Sequence, residues 1–165
     1  MSTAILDRLK EKFADQILST HSMHGDDTAI VEPAALTEIM TFLRDDPECS
    51  FEMLTDLTGV DLLGVQELRF EVVYHLYSLT KNHRVRIKVQ LPENNPVVSS
   101  VLPLWKSANW MEREAWDLYG IKFDGHPDLR RILLYPEFEG HPLRKDYEQE
   151  HRQPLIPARE GREHL

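Results

Sequence analysis

The stretch L-R-F-E-V-V-Y-H-L-Y-S-L-T-K-N-H-R-V-R-I-K-V-Q-L, residues 68–91, contains two strands and the turn between them. From Arg84 onward, Val85, Ile87, Val89 and Leu91 alternate with Arg84, Arg86, Lys88 and Gln90. A period of two with apolar groups on one side is a half-buried strand. Residues 68–79 are rich in Val, Tyr, Phe and Leu, and Phe70, Val72, Tyr74 and Leu76 share one face. Val73 and Tyr77 give the other face apolar character, which predicts a central strand covered on both sides. Lys81-Asn82-His83 is a short turn, because Asn tolerates left-handed backbone angles. The pair is an antiparallel hairpin. The cationic outer face of its second strand reads as solvated, or covered by acidic neighbours, in preference to a docking stripe.

Upstream, Ile5, Leu9, Phe13 and Ile17 recur at helical spacing, with Leu6 and Leu18 widening the stripe, so a helix is predicted over residues 4–18, capped by Ser2 or Thr3. A strand is expected at residues 28–31. Pro33 then starts a helix through Leu36, Ile39, Met40 and Leu43 that ends near Asp46-Pro47. Residues 51–61 are spaced for a strand, with Gly59 marking a bend or bulge. Downstream, residues 92–96 form a loop and residues 97–102 one more edge strand. Residues 104–119 look helical, with Gly120 as the stop. On that helix Met111, Ala115 and Leu118 form one stripe, and Arg113 and Asp117 are spaced to pair on its surface. After Gly120 the period is lost, and Pro127, Pro136, Pro142, Pro154 and Pro157 deny long helices. From Tyr147 the chain reads as a polar tail. The fold class is α+β: a small mixed or antiparallel sheet with N-terminal and flanking helices, followed by an extended Pro-rich C-terminal segment. The expected division is an α+β domain at residues 1–120 and a docking segment with its tail at residues 121–165.

A chain of 165 residues fits one domain with a tail. Its 41% hydrophobic and 28% charged content is that of a globular protein. The formal charge of −9 argues against nucleic acid as a partner, since phosphate binding needs a basic footprint. Cys49 is the only cysteine, so it forms no internal disulfide and assembles no zinc or iron–sulfur site. A lone thiol fits a reducing cytoplasm. Pro47, Glu48, Ser50 and Glu52 offer it no cation, so it reads as passive. The N-terminal residues do not read as a signal peptide, and there is no apolar run of about 18 residues to span a bilayer, so membrane association is expected only through partners.

Residues 110–146 hold most of what is particular to this chain. Glu112, Glu114 and Asp117 offer carboxylates for acid–base work, but Glu112 and Glu114 are two apart and point about 200° from each other on a helix. They read as a charged helix surface paired with arginines, with Arg113 or Glu114 left to meet the core or a partner. His126 and His141 each sit in a Gly-His-Pro phrase, which is a turn, and neither has a second ligand at metal-binding spacing. The repeated phrase either sets two Arg-bearing turns against similar surfaces or is coincidence. Arg130, Arg131, Arg144 and Lys145 lie on this Pro-stiffened segment, interleaved with Leu129, Ile132, Leu133 and Leu134. Apolar anchors mixed with arginines suit an interface. The chain has no Gly-rich phosphate loop, no Gly-x-Ser-x-Gly, no clustered Cys and no His-Glu-x-x-His. A non-catalytic interaction domain is the better reading, and a stand-alone enzyme using Glu112, Glu114 and His126 is the alternative.

Glu112-Arg113-Glu114, Trp116-Asp117-Leu118-Tyr119-Gly120-Ile121, Phe123, Gly125-His126-Pro127, Leu129-Arg130-Arg131-Ile132-Leu133 and Gly140-His141-Pro142-Leu143-Arg144-Lys145-Asp146 closely resemble the signature of the C-subunit family of the proton-pumping NADH–quinone oxidoreductase, bacterial respiratory complex I. The resemblance implies a cofactor-free member of the hydrophilic arm, peripheral on the cytoplasmic side of the inner membrane. Its implied partners are the quinone-site large subunit and the iron–sulfur subunits. The complex passes electrons from NADH through FMN and iron–sulfur clusters to quinone and pumps protons. An end at Leu165 is expected for an unfused form with a short tail. Relatives in membrane-bound hydrogenases and ferredoxin-linked complexes keep parts of the signature, so an equivalent scaffold role there is the alternative. On this resemblance no catalytic, cofactor or metal ligand is expected here, and residues 112–146 form the docking surface. Glu112, Arg113, Glu114, Asp117, His126, His141 and Asp146 would stand at the interface. Arg130, Arg131, Arg144 and Lys145 would pair with partner carboxylates, and Leu129, Ile132 and Leu133 would be apolar anchors.

Overall fold

The computed structural model describes residues 3–156. The expected caps at Ser2 and the Thr3 side chain, and Pro157 with the end of the tail, lie outside the described residues. The elements in chain order are α1 (Thr3–Phe13), β1 (Ile17–Met23), β2 (Asp26–Val31), α2 (Leu36–Asp45), β3 (Met53–Asp61), β4 (Phe70–Ser78), β5 (His83–Leu91), β6 (Val97–Ser99), α3 (Ala108–Tyr119) and β7 (Lys122–Asp124). The main sheet has the order β1-β2-β5-β4-β3, antiparallel except where β2 runs parallel to β5. It is a mixed sheet in an α+β fold.

The predicted hairpin is β4–β5. Phe70, Val72, Tyr74 and Leu76 are buried opposite Leu91, Val89, Ile87 and Val85, and Asn82 turns the chain at φ +51°. These two faces, the α1 stripe Ile5, Leu6, Leu9 and Phe13, and the α2 stripe Leu36, Ile39, Met40 and Leu43 form one core. On the outer face Lys88 pairs with Glu71 at 2.7 Å, Arg86 reaches Asp26 at 3.3 Å, and Arg84 lies over the Tyr77 ring. The basic stripe is thus largely met by acidic neighbours.

Four expectations need correction. The first helix stops at Phe13, and Ile17 and Leu18 belong to β1, where Ile17 pairs with Val31. Helical spacing continued by chance into a strand. Second, the irregularity in β3 falls at Thr55, between Leu54 and Asp56, and not at Gly59. Leu54 and Leu57 are both buried although an odd number of positions apart, so one extra residue has to be absorbed between them. Gly59 instead provides close approach: a Cβ there would stand 2.8 Å from the Tyr119 ring. Third, α3 begins at Ala108, after turns at residues 102–104 and 106–107. Fourth, residues 97–99 do not extend the main sheet. They pair in parallel with β7, a three-residue strand beyond Gly120 that the loss of period concealed. Ile121 and Phe123 are buried in the core.

Candidate docking surface

Helix α3 lies against β3, with Ala108 and Ala115 buried and Met111 and Tyr119 packed against the core. The same face carries Glu112, which is 0% exposed. Its carboxylate accepts the Ser100 hydroxyl at 2.6 Å and the Val101 backbone N–H at 2.7 Å. Burial pushes its pKa up to about 7 despite those two donors. Glu112 is therefore a buried clasp on the loop before α3 and not part of a charged helix surface. Its position between Ala108 and Ala115 at helical spacing was the available signal.

Asp117 is also 0% exposed. It does not pair with Arg113 on the surface. Its Oδ2 accepts three consecutive backbone N–H groups, from Ile132, Leu133 and Leu134, at 3.0, 2.9 and 3.0 Å. Its Oδ1 accepts the Arg131 guanidinium at 2.7 Å. Burial would raise this carboxyl, but the Leu134 N–H, Arg131 and the other two amides outweigh it and hold the pKa below its ordinary value. Arg113 points elsewhere, donating to the carbonyls of Arg130 and Arg131 at 3.1 and 2.9 Å.

Residues 126–134 thus run alongside α3 at a nearly constant offset. His126 bonds the Asn109 carbonyl, Arg113 the Arg130 carbonyl, and Asp117 the Leu134 amide, each across 17 positions. The chain then returns to the C-terminal end of the helix, where an α-helix leaves its last four carbonyls without internal partners. All four are met. Gly120, left-handed at φ +75°, returns its N–H to Trp116 at 2.8 Å. His141 Nδ1 bonds the Asp117 carbonyl at 2.9 Å, the Leu143 N–H reaches Leu118 at 3.1 Å, and Arg144 Nε reaches Tyr119 at 2.6 Å. Both Gly-His-Pro phrases therefore turn a histidine onto an α3 carbonyl, with Gly125 and Gly140 in the left-handed region. Burial lowers the His141 pKa and the nearby Arg144 and Arg131 act in the same direction, against the hydrogen bond to Asp117.

The cations divide into two groups. Arg131 gives its remaining bonds to the carbonyls of Phe138 and Gly140 at 2.7 and 3.1 Å and lies over the Trp116 and Phe138 rings. Arg144 is occupied at Tyr119 and stacks on Phe70 at 5.0 Å. Both terminal nitrogens of Arg131 are thus committed within the chain, whereas Arg144 is hydrogen-bonded through Nε alone. Arg130 is exposed, tied only to Asp128 at 2.9 Å, and Lys145 is exposed. Leu129 packs against the core, Ile132 is half-buried, and Leu133 is 62% exposed. Leu143 and Trp110 are exposed as well, Trp110 at 69%. Glu114 faces solvent, so Glu112, Glu114 and His126 do not share one site.

One cluster had no sequence signal. Arg69, only 3% exposed, forks onto Asp61 at 3.1 and 2.9 Å and also reaches Glu93 and Asp146. Asp61 accepts the Lys145 N–H at 2.8 Å as well. Burial acts to raise the Asp61 pKa, but these donors dominate and hold it at about 2. The three carboxylates stand 8, 24 and 77 positions from Arg69, and only the topology brings them together. Cys49 is buried, and burial pushes its thiol up to about 11, which makes it a poor nucleophile. Among the described residues no group of three or more His, Cys, Asp or Glu is placed to hold a metal ion, and no helix is long and apolar enough to cross a membrane.

The geometry is thus a small α+β core with an aperiodic ribbon clamped along one of its helices. The chain belongs to the family described as respiratory-chain NADH dehydrogenase, 30 Kd subunit, whose model matches residues 29–153. That span runs from β2 through the ribbon. Over 144 residues the chain is 49% identical to the NADH-quinone oxidoreductase C subunit of Methylobacterium sp. (strain 4-46), covering 87% of this chain and 66% of that one. It is 48% identical over 145 residues to the corresponding C subunit of Roseiflexus sp. (strain RS-1), covering 88% and 83%. Among solved structures, the trypsin-resistant fragment (1-134) of Nqo5 superposes with a TM-score of 0.67 at 34% identity, covering 76% of this chain and 99% of the fragment. The resemblance carried by residues 110–146 is therefore matched across most of the chain.

Proposed function

We propose that this chain is a non-catalytic scaffold subunit in the peripheral arm of NADH–quinone oxidoreductase, with the ribbon at residues 121–146 as its docking segment. Family membership makes it a subunit of that complex, which uses FMN, iron–sulfur clusters and quinone. The chain's own part is to hold neighbouring subunits in register, on the cytoplasmic side of the membrane and against the quinone-site and iron–sulfur subunits. One observation carries this reading. The ribbon is fixed through its backbone to α3 while Arg130, Leu133 and Leu143 remain outward on it. A preformed segment docks without the entropy cost of ordering it. The groups available for acid–base work are otherwise occupied: Glu112 is committed to Ser100 and Val101, and His126 to Asn109.

The test is an Arg130→Glu, Leu133→Asp variant. Both residues are outward, so the isolated chain should melt within about 0.5 kcal/mol of the wild type. Affinity purification of the tagged variant should recover little of the other subunits, and membranes carrying it should lose NADH–quinone reductase activity. Full recovery and full activity would remove the ribbon as the docking segment.

A further inference from the structure

The two edges of the main sheet are built differently. At β3 the edge is managed. It is bent by the irregularity at Thr55 and carries Asp56 and Asp61. The neighbouring turn puts donors on it, with Ser107 Oγ bonded to the Leu54 carbonyl at 3.1 Å and Trp105 Nε1 to the Phe51 carbonyl at 3.2 Å just before the strand. At β1 the irregularity is confined to its first residues and no charged side chain lies on the strand. Its sequence, I-L-S-T-H-S-M, has no Lys, Arg, Asp, Glu or Pro. Its one irregularity lies between Ile17 and Ser19, so residues 19–23 run regularly beside β2. Leu18 and Met23 are exposed, and no residue from Leu18 to Met23 is buried. A regular, uncharged edge strand is a template for another strand, and proteins ordinarily blunt such edges.

The register says which groups point outward. The turn at His24-Gly25 has two positive φ values, 56° and 89°, which is the two-residue type I′ connection. In such a hairpin the flanking residues, Met23 and Asp26, exchange both ladder bonds, and bonded and non-bonded pairs alternate from there. Thr20 and Ser22 therefore turn their N–H and C=O groups away from β2. Among the described residues no strand pairs with that side.

We propose that β1 receives a strand from another subunit of the same complex, by addition to this edge. The hydrogen-bonding pattern selects an extended backbone as the occupant. Charge selects its chemistry. Exposed Asp15 precedes the strand, Asp26, about half exposed with Arg86 at 3.3 Å, follows it, and the chain carries −9. An incoming segment that is uncharged along its middle and basic at its ends complements this edge. A second copy of this chain does not, because antiparallel pairing would set Asp15 of one copy toward Asp26 of the other. The proposal rests on membership of the complex and concerns a surface on the far side of the sheet order from β3.

The experiment uses the tagged full chain expressed with its complex. A Thr20→Pro, Ser22→Pro variant removes the two outward N–H groups without touching the β1–β2 ladder. A Thr20→Val, Ser22→Val variant keeps them. The wild type and the Val variant should recover the other subunits equally, and the Pro variant should recover about tenfold less or lower, the loss expected for roughly 1.4 kcal/mol. Amide exchange at Thr20 and Ser22 should be fast in the isolated wild-type chain and slow by about a hundredfold or more in the complex. That second readout stands even if the Pro variant fails to fold. Full recovery by a folded Pro variant, or unprotected amides in the complex, would overturn the proposal and leave the ribbon's role intact. A homodimer of the isolated chain that the prolines dissociate would overturn it in favour of self-pairing. A wild-type chain that recovers no other subunit would overturn both readings.

Discussion

Arg69 and Asp146 stand 77 positions apart in the chain, and their side chains meet through hydrogen bonds of 3.0 and 2.5 Å. The first residue immediately precedes β4 and the second closes the ribbon, so this pair fastens the C-terminal segment to the sheet. Its two sides are unequal. Arg69 and its partner Asp61 are almost fully buried, while Asp146 is about half exposed. Arg69→Met strands the Asp61 carboxylate and should cost about 3–5 kcal/mol in urea denaturation. Asp146→Asn leaves Arg69 with Asp61 and Glu93 and should cost about 1 kcal/mol or less. Equal losses would show that the buried half of the cluster does not dominate.

The same cluster gives an acid limit. The Asp61 pKa is held at about 2 against a reference of 3.8, so its contribution is present above the reference value and is lost as pH falls from there toward 2. Acid unfolding of the wild type should steepen below pH 4, and Asp61→Asn should flatten that part of the profile. Parallel profiles would contradict the shift.

Glu112 acts in the opposite sense. Its folded pKa of about 7 lies above the reference of 4.5, so the folded state holds the proton more tightly. Between those values stability falls as pH rises, by an amount on the order of 3 kcal/mol for the whole interval. Glu112→Gln removes this titration and keeps an acceptor for the Val101 amide. The variant should gain on the wild type between pH 5 and pH 8 when melting is compared in matched buffers. A difference that does not change with pH would mean the carboxyl is not titrating in the folded chain.

Asp117→Asn places an amide where three N–H groups and a guanidinium converge. At least one donor must then face another donor, and the Arg131 charge loses its counterion. A loss of about 2–4 kcal/mol is expected. The residue-resolved signature is faster amide exchange at Ile132, Leu133 and Leu134, with β4 and β5 unchanged. Uniform acceleration across the sheet would indicate global destabilisation instead.

Gly120 meets two demands together. It is left-handed, and a Cβ there would stand 2.6 Å from both the Arg144 and the His141 side chains. Gly120→Ala should cost about 1–2 kcal/mol from the backbone alone, and more from displacing the residues that cap α3. A thermal melt unchanged from wild type would refute the crowding.

The elements that depend on local period were legible in the sequence. The β4–β5 hairpin, the α2 stripe from Leu36 to Leu43 and the stop at Gly120 each follow from a repeat or a single backbone requirement. What failed needed information from distant residues. Ile17 continues the α1 spacing, and only pairing with Val31 makes it a strand. Thr55 is absorbed as an extra residue because of where Leu76 and Tyr74 lie on the neighbouring strand. Residues 110–146 stand out by composition, but composition does not sort their inward members from their outward ones. Arg130 and Arg131 are adjacent and chemically alike, and Asp117, 14 positions before Arg131, decides which of them turns in.

The grip of α3 on the ribbon falls largely on main-chain atoms. Asp117 holds amides, Arg113, Arg131 and Arg144 hold carbonyls, and both histidines hold carbonyls. Main-chain atoms are common to every residue, so the side chains at positions 130, 133 and 143 are released from any duty in keeping the ribbon where it is. Anchoring and display are assigned to different atoms of the same segment. The outward side chains can therefore be exchanged to suit a changed neighbour while the path of the ribbon stays fixed.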